Sequence, residues 1–276
     1  MPSLSPVAAR EIVHLLILRE LAGIRRGTGT TVKGGVNLRL FFGSVRYSQD
    51  MDLDGTEQAS EAIRGWLNGM FENTDFTRRL QGFGIRELDP GEGPNKDTET
   101  TFRYKFGVIV AGGIRYPTKV EVSFRNRHTA DKAVLETPPP EILRTYGMDV
   151  LEVRHYVREA AVRQKIEALA GRREAQARDV FDLHMLVPDR APDNLVELLA
   201  KGVANNRLKE AHERALAITY AEYEGQVFEF LGKEAGLKAL GGPDVDPPHE
   251  DNQRRACGPQ GHRFSAKDAA APAPRP

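Results

Sequence analysis

"KGGVNLRLFFGSVRYSQDMDLDG", residues 33–55, runs from a glycine pair through a helically spaced stretch into three aspartates two apart. In an extended strand, residues two apart share a face. Asp50, Asp52 and Asp54 would then project together at roughly 6.5–7 Å intervals, while Met51 and Leu53 enter a core. Such a row is costly, because at an effective dielectric of about 20 each neighbouring pair repels by about 2–2.5 kcal/mol. A bound cation removes that penalty. Mg2+ takes one or two carboxylates together with waters and substrate phosphates, so it suits a short acidic strand better than a closed cage. Upstream, Gly34-Gly35 lies between a β-like run and the helical pattern of Leu38, Phe41 and Phe42. Bare backbone N–H groups and a positive helix end at that point can hold a phosphate, which a metal could bridge to the carboxylates.

A rival reading comes from the same residues. DMDLDGTEQASE, residues 50–61, matches the calcium-loop pattern D-x-[DN]-x-[DN]-G-x5-E, which would make the segment an EF-hand-like module ending at Glu61. Against it, Gly43-Ser44 interrupts any entering helix, Glu57 stands where such loops place an apolar residue, and no second loop exists to pair with it. A solvent-facing acidic turn is the third possibility.

The chain of 276 residues allows one large domain or two modest ones. Lys plus Arg (39) equal Asp plus Glu (39), so no global field draws the protein onto nucleic acid. Local basic pairs remain at Arg25-Arg26, Arg78-Arg79, Arg125-Asn126-Arg127 and Arg172-Arg173. The single cysteine, Cys257, excludes a disulfide framework and any multi-cysteine metal site, and fits a reducing, cytoplasmic setting. The first apolar stretch carries Arg10, Glu11, His14, Arg19 and Glu20, so it reads as an amphipathic helix over 5–22 and not as a signal peptide or membrane span.

Further helices are expected at 59–71, 152–171, 173–187, 193–205 and 207–235, with a hairpin over 100–126 turning at Ala111-Gly112-Gly113. The prolines at 138–140 mark a break. The fold class is therefore α+β: a small mixed sheet with flanking helices in 1–137, a helical portion in 138–240, and a tail over 241–276 expected to be disordered for want of any apolar period.

Ten residues of the opening stretch match, in order and spacing, the first motif of a known family: Gly34, Gly35, Arg39, Gly43, Ser44, Arg46, Tyr47, Ser48, Asp50 and Asp52. On these the chain resembles the AbiEii/AbiGii-type nucleotidyltransferase toxins, which include the MenT toxins and belong to the DNA polymerase β-like superfamily. Tyr47 stands where phenylalanine is more usual. TKVEVS (118–123) offers Lys119 and Glu121 where the family has a third strand residue, often acidic. RQKIEAL and RREAQARDVFDLHML resemble its lysine-bearing helix and its Arg-Asp-x-x-Asp-Leu helix, here Lys165, Arg178, Asp179, Asp182 and Leu183.

The resemblance covers roughly residues 10–190 and implies a polymerase β-like core that transfers NMP from NTP to an acceptor hydroxyl, with Mg2+ or Mn2+. It implies Asp50 and Asp52 as metal ligands, with Glu121 as a third ligand or general base. Gly34 and Gly35 would cradle the triphosphate, and Arg46 and Lys165 would compensate its charge. Asp182 would order Lys165 or the nucleotide base, with Arg39, Ser48, Arg178 and Asp179 nearby. Arg39 could equally pair with an acid behind the loop, and Ser48 could orient Asp50 or be self-modified. A cognate antitoxin and an RNA acceptor, the tRNA 3′ end in some members, are the implied partners; an inactive partner-binding scaffold is the remaining alternative.

Spacing alone lets Arg178, Asp179 and Asp182 share a helix surface, where an exposed pair contributes only about 0.3–0.5 kcal/mol. His155 and His184 lack metal-ligand spacing.

Overall fold

Strand β2 (Met51–Gly55) does what its alternation requires: Met51 and Leu53 are fully buried in the core. The computed structural model describes residues 4–125, 133–187, 199 and 201–231, all within one unit, Met1–Ala235. The tail expected from residue 241 lies outside the described residues, as do 193–198 and 200 of the helix expected at 193–205; within that span 201–204 are not helical, and Asn205 opens the next helix.

Around β2 the sheet grows in both directions. It pairs antiparallel with β1 (Thr30–Lys33) and parallel with β6 (Arg115–Ser123). The other strands are β3 (Ile85–Asp89), β4 (Pro94–Thr98), β5 (Thr101–Val110), β7 (Ala133–Glu136) and β8 (Val153–Tyr156). Among the described residues the order is β3-β5-β6-β2-β1-β8-β7, with β4 also paired to β5.

The β5–β6 hairpin turns through Gly112 (φ 89°) and Gly113 (φ 79°), a left-handed pair that L side chains rarely adopt. Helices α3 (Ser60–Gly69), α4 (Thr74–Gly82) and α5 (Pro140–Thr145) precede β8, and the helix expected from residue 152 is instead β8 followed by α6 (Arg158–Gly171). Val153, His155 and Tyr156 fit a pleated surface, and they extend the sheet by pairing parallel with β1. The sheet therefore draws on residues beyond 137.

Helix α1 (Pro6–Ala22) is capped by Ser5, whose hydroxyl accepts from the Ala8 amide, with proline at the first helical position. Residues 11–18 are buried without interruption, so this helix is enclosed around its girth and not amphipathic. Its embedded polar groups are satisfied: Arg39 and the Tyr146 hydroxyl both donate to Glu11.

Helix α2 (Gly34–Phe41) joins two cores. Val36 and Leu40 pack with α1 and the sheet, while Leu38 packs with Ala161, Val162, Ile166 and Leu169 of α6. That fixes α6 and α7 (Ala177–Leu186) over the end of the sheet where β1 meets α2. Farther on, the helix expected over 207–235 breaks into Asn205–Leu216 and Tyr220–Val227, the second opened by a Thr219/Glu222 capping box.

Candidate active site

The register of three strands builds one wall of a cleft. Asp52 sits beside Glu121 across the parallel β2–β6 pair, and Arg103 sits opposite Glu121 across the β5–β6 pair. Arg103 Nε donates to Glu121 Oε2 at 2.6 Å. Lys119, two residues before Glu121 and on the same face, places Nζ 3.4 Å from Asp50, 3.7 Å from Asp52 and 3.7 Å from Glu121. Burial raises the Glu121 pKa, but the Arg103 hydrogen bond and the Lys119, Arg103 and Lys33 charges outweigh it and hold the carboxyl below its ordinary range.

Asp54 shares that face yet leaves the cluster. It is buried, accepting from Lys33 Nζ at 2.6 Å and from the Tyr156 hydroxyl at 2.5 Å. Glu61 lies exposed on α3 (Ser60–Gly69). A calcium loop over 50–61 is thereby excluded, because its third ligand is committed to a lysine and a tyrosine and its first half is a strand paired on both edges.

The glycine pair faces these acids. β1 passes directly into α2 at Lys33, with no side-chain cap and no acid in the first turn. Gly34 has φ +66°, and a Cβ there would stand 3.2 Å from Asp52 Oδ2. At Gly35 a Cβ would come within 2.7 Å of Ser48 Oγ. Both positions need glycine for the helix end to approach the acidic strand. Ser48 Oγ donates to the Asp50 carbonyl, fixing the entry to β2.

The facing wall is a buried ion network. Lys165 Nζ lies 2.5 Å from Asp182 and 3.0 Å from Asp179, and both carboxylates are completely buried. Arg46 grips Asp182 with Nε and Nη2 at 2.8–3.1 Å. Arg172 Nε lies 3.1 Å from the second Asp179 oxygen, an ionic contact without hydrogen-bond alignment. The three residues expected to share a surface on α7 divide: Asp179 and Asp182 turn inward, and Arg178 lines the cleft with no acidic partner among the described residues.

Between the walls is a cleft of about 840 Å³. Eight basic side chains line it against five acidic ones. Of the basic pairs noted in the sequence, Arg125 and Arg172 reach the cleft, whereas Arg78 and Arg79 pair with Asp75 and Glu20 elsewhere. Arg127 lies outside the described residues.

Arg39, expected near a nucleotide, is absent from the cleft lining. It binds Glu11 at 2.8 Å, lies over the Tyr47 ring at 4.3 Å and takes the place behind the loop. Burial lowers its pKa, and Glu11 more than restores it. His155, expected on a helix, is on β8, stacked on Phe41.

Arg103 was not singled out from the sequence. Its signal was there, since counting back through the hairpin sets a basic residue opposite Glu121.

A mixed sheet that carries paired carboxylates toward a glycine-opened helix end places the fold among the nucleotidyltransferases. The family model described as nucleotidyl transferase AbiEii toxin, type IV toxin–antitoxin system, matches residues 17–250, and the chain belongs to that family. MenT4, a nucleotidyltransferase toxin from Mycobacterium tuberculosis, shares the fold at 19% identity and a TM-score of 0.53, over 91% of this chain and 87% of that one. JHP933 from Helicobacter pylori is 18% identical over 86% of this chain and 98% of that one, with a TM-score of 0.45. An antigenic nucleotidyltransferase-like protein from Paracoccidioides brasiliensis is 16% identical over 80% and 99%, with a TM-score of 0.39. No curated protein matched the chain. Family membership makes the protein a nucleotidyltransferase enzyme with an NTP substrate and a partner antitoxin. No helix among the described residues is long and apolar enough to cross a membrane.

Proposed function

We propose that this cleft transfers a nucleoside monophosphate from an NTP to the 3′-terminal hydroxyl of a tRNA in the cytoplasm, as the toxin of its antitoxin pair. The observation that carries the reading is the Asp52–Glu121 register, with Asp50 beside it, aimed at the open N-terminus of α2.

The donor set suits a hard dication: carboxylate oxygens from Asp50, Asp52 and Glu121, all within 3.4–3.7 Å of one ammonium. Among the described residues no group of three His, Cys, Asp or Glu is arranged to hold a metal by itself. Asp50 and Asp52 would hold Mg2+ or Mn2+ together with waters and substrate phosphates, with Glu121 as the third carboxylate once they are bound. When bound, the metal would polarise the phosphate and lower the pKa of the attacking hydroxyl.

The residues of the chain do the rest. Amides of Gly34 and Gly35 cradle the triphosphate, and Lys165 and Arg178 offset its charge. Asp182 holds Lys165 and Arg46 in place, and Asp179 holds Lys165 from the other side, so residues 138–240 complete a site begun in 1–137. The acceptor oxygen bonds to the α-phosphorus, the bond to the bridging oxygen breaks, and pyrophosphate leaves. The hydroxyl proton passes to an ionised carboxylate of the acidic wall. Glu121, held below its ordinary pKa, serves better as an anionic ligand than as a base working near neutrality. The excess of basic lining, with Arg125, Arg172 and Arg178 unused by the acids of the sheet, favours an RNA acceptor.

Incubating the protein with total RNA, Mg2+ and each labelled NTP in turn tests this. Label should enter an RNA of tRNA size, and should fail to do so with Asp50→Ala. Label entering a protein or small molecule would overturn the acceptor, and no label anywhere would overturn the transfer.

A further inference from the structure

Lys119 is bound differently from the other lysines of the cleft. Lys33 and Lys165 make close pairs at 2.6 and 2.5 Å. Among the described residues Lys119 makes none: its ammonium stands 3.4, 3.7 and 3.7 Å from Asp50, Asp52 and Glu121. Those separations exceed hydrogen-bond length, so it acts as a point charge shared by three carboxylates.

We infer that Lys119 is the resident counterion of the acidic wall and couples metal binding to nucleotide binding. The inference rests on the nucleotidyl-transfer reading. A dication and the ammonium compete for the same oxygens, and a metal entering alone leaves the displaced ammonium beside a second positive charge. An incoming triphosphate removes that conflict by offering the ammonium a new anion. Its side chain is a flexible four-carbon stem, about a fifth exposed and lining the cleft, so it can turn outward. Metal therefore binds more readily with nucleotide than without, and by linkage the nucleotide binds more readily with metal.

Arg103 supplies the contrast. Its Nε is fixed on one oxygen of Glu121 at 2.6 Å from the neighbouring strand, which positions Glu121, while Asp52 and Asp50 feel its charge more weakly than Glu121 does.

The test is Mn2+ binding by calorimetry and electron paramagnetic resonance. Full-length protein and its Lys119→Met, Lys119→Gln and Arg103→Met variants are compared, each with and without a non-hydrolysable NTP, and thermal melts show which variants fold. Lys119→Met or Lys119→Gln, whichever folds, should take Mn2+ alone at least about tenfold more tightly than wild type. In that variant the analogue should improve Mn2+ affinity by a smaller factor than in wild type. Arg103→Met should change Mn2+ affinity less. Unchanged or weaker Mn2+ binding in folded Lys119 variants would overturn the inference. So would equal tightening in Arg103→Met, which would signal a general charge effect. Absence of Mn2+ binding in every protein, even with the analogue, would instead remove the transfer reading on which the inference stands.

Discussion

The two walls of the cleft hold similar numbers of charges in opposite ways. On the sheet, Asp50, Asp52 and Glu121 are a quarter to two-fifths exposed and share Lys119 at 3.4–3.7 Å, with Glu121 alone also held by Arg103 at 2.6 Å. On the helices, Asp179 and Asp182 are fully buried and grip Lys165 and Arg46 at 2.5–3.1 Å. Loose, wet charges can exchange partners. Buried, bidentate pairs cannot, because breaking one leaves an uncompensated charge in a low dielectric. The sheet wall is therefore built to trade its cation during turnover, and the helical wall to stay as folded.

Removing a carboxylate from each wall should separate the two roles. Asp182→Ala strands Arg46 and Lys165 and should destabilise the fold by about 3–5 kcal/mol, read as a lower urea midpoint. Asp52→Asn should leave the unfolding free energy within about 0.5 kcal/mol of wild type while lowering nucleotide transfer about 10²–10³-fold. If both substitutions acted mainly on stability, the contrast between the walls would collapse.

The acidic wall also has a support beneath it. His14 on α1 is fully buried, and its Nε2 meets Thr118 Oγ1 at 3.0 Å. That hydroxyl donates at 2.7 Å to the carbonyl of Gln49, the residue before Asp50, so His14 Nε2 carries the proton and donates. Burial, with some help from the Arg10 charge, lowers the His14 pKa to about 3. The unfolded chain takes up a proton near pH 6.5 and the folded one does not, so the stability contributed by neutral His14 is complete above 6.5 and is lost as pH falls toward 3. Between pH 7 and pH 5 the loss should be about 2 kcal/mol, and His14→Gln should flatten that slope in denaturant titrations. A slope unaltered by the substitution would take His14 out of the support.

The smallest effect is expected at the helix end. A Cβ at Gly35 would press on Ser48 Oγ at 2.7 Å, so Gly35→Ala should cost about 1–2 kcal/mol and raise KM for NTP more than it lowers kcat. A fall in kcat at unchanged KM would place the glycine outside the triphosphate cradle.

Legibility in the sequence followed the range of the interaction. Asp52 against Leu53 was readable because alternation in a strand is local, and the Gly112-Gly113 turn because glycine marks left-handed backbone. The wrapping of α1 was not readable: Glu11, His14 and Arg19 look like a polar face until Arg39, Tyr146 and Thr118 arrive from elsewhere to cover the first two. β8 reads as helix in the sequence because its strand character depends on an open edge of β1 more than 120 residues away. In the site, the i, i+3 spacing of Asp179 and Asp182 put them on one surface without saying that Lys165, Arg46 and Arg172 would bury it. Asp54 completed a calcium pattern in one dimension and belongs to Lys33 and Tyr156 in three.

Crystals grown with Mn2+ and a non-hydrolysable NTP put the contrast between the walls to its most direct test. Anomalous scattering should place the metal against Asp50 and Asp52, with the triphosphate at Gly34-Gly35 and the Asp182 contacts to Arg46 and Lys165 unbroken. A metal bound away from those two aspartates, or an Asp182 that releases its partners to reach it, would contradict the account.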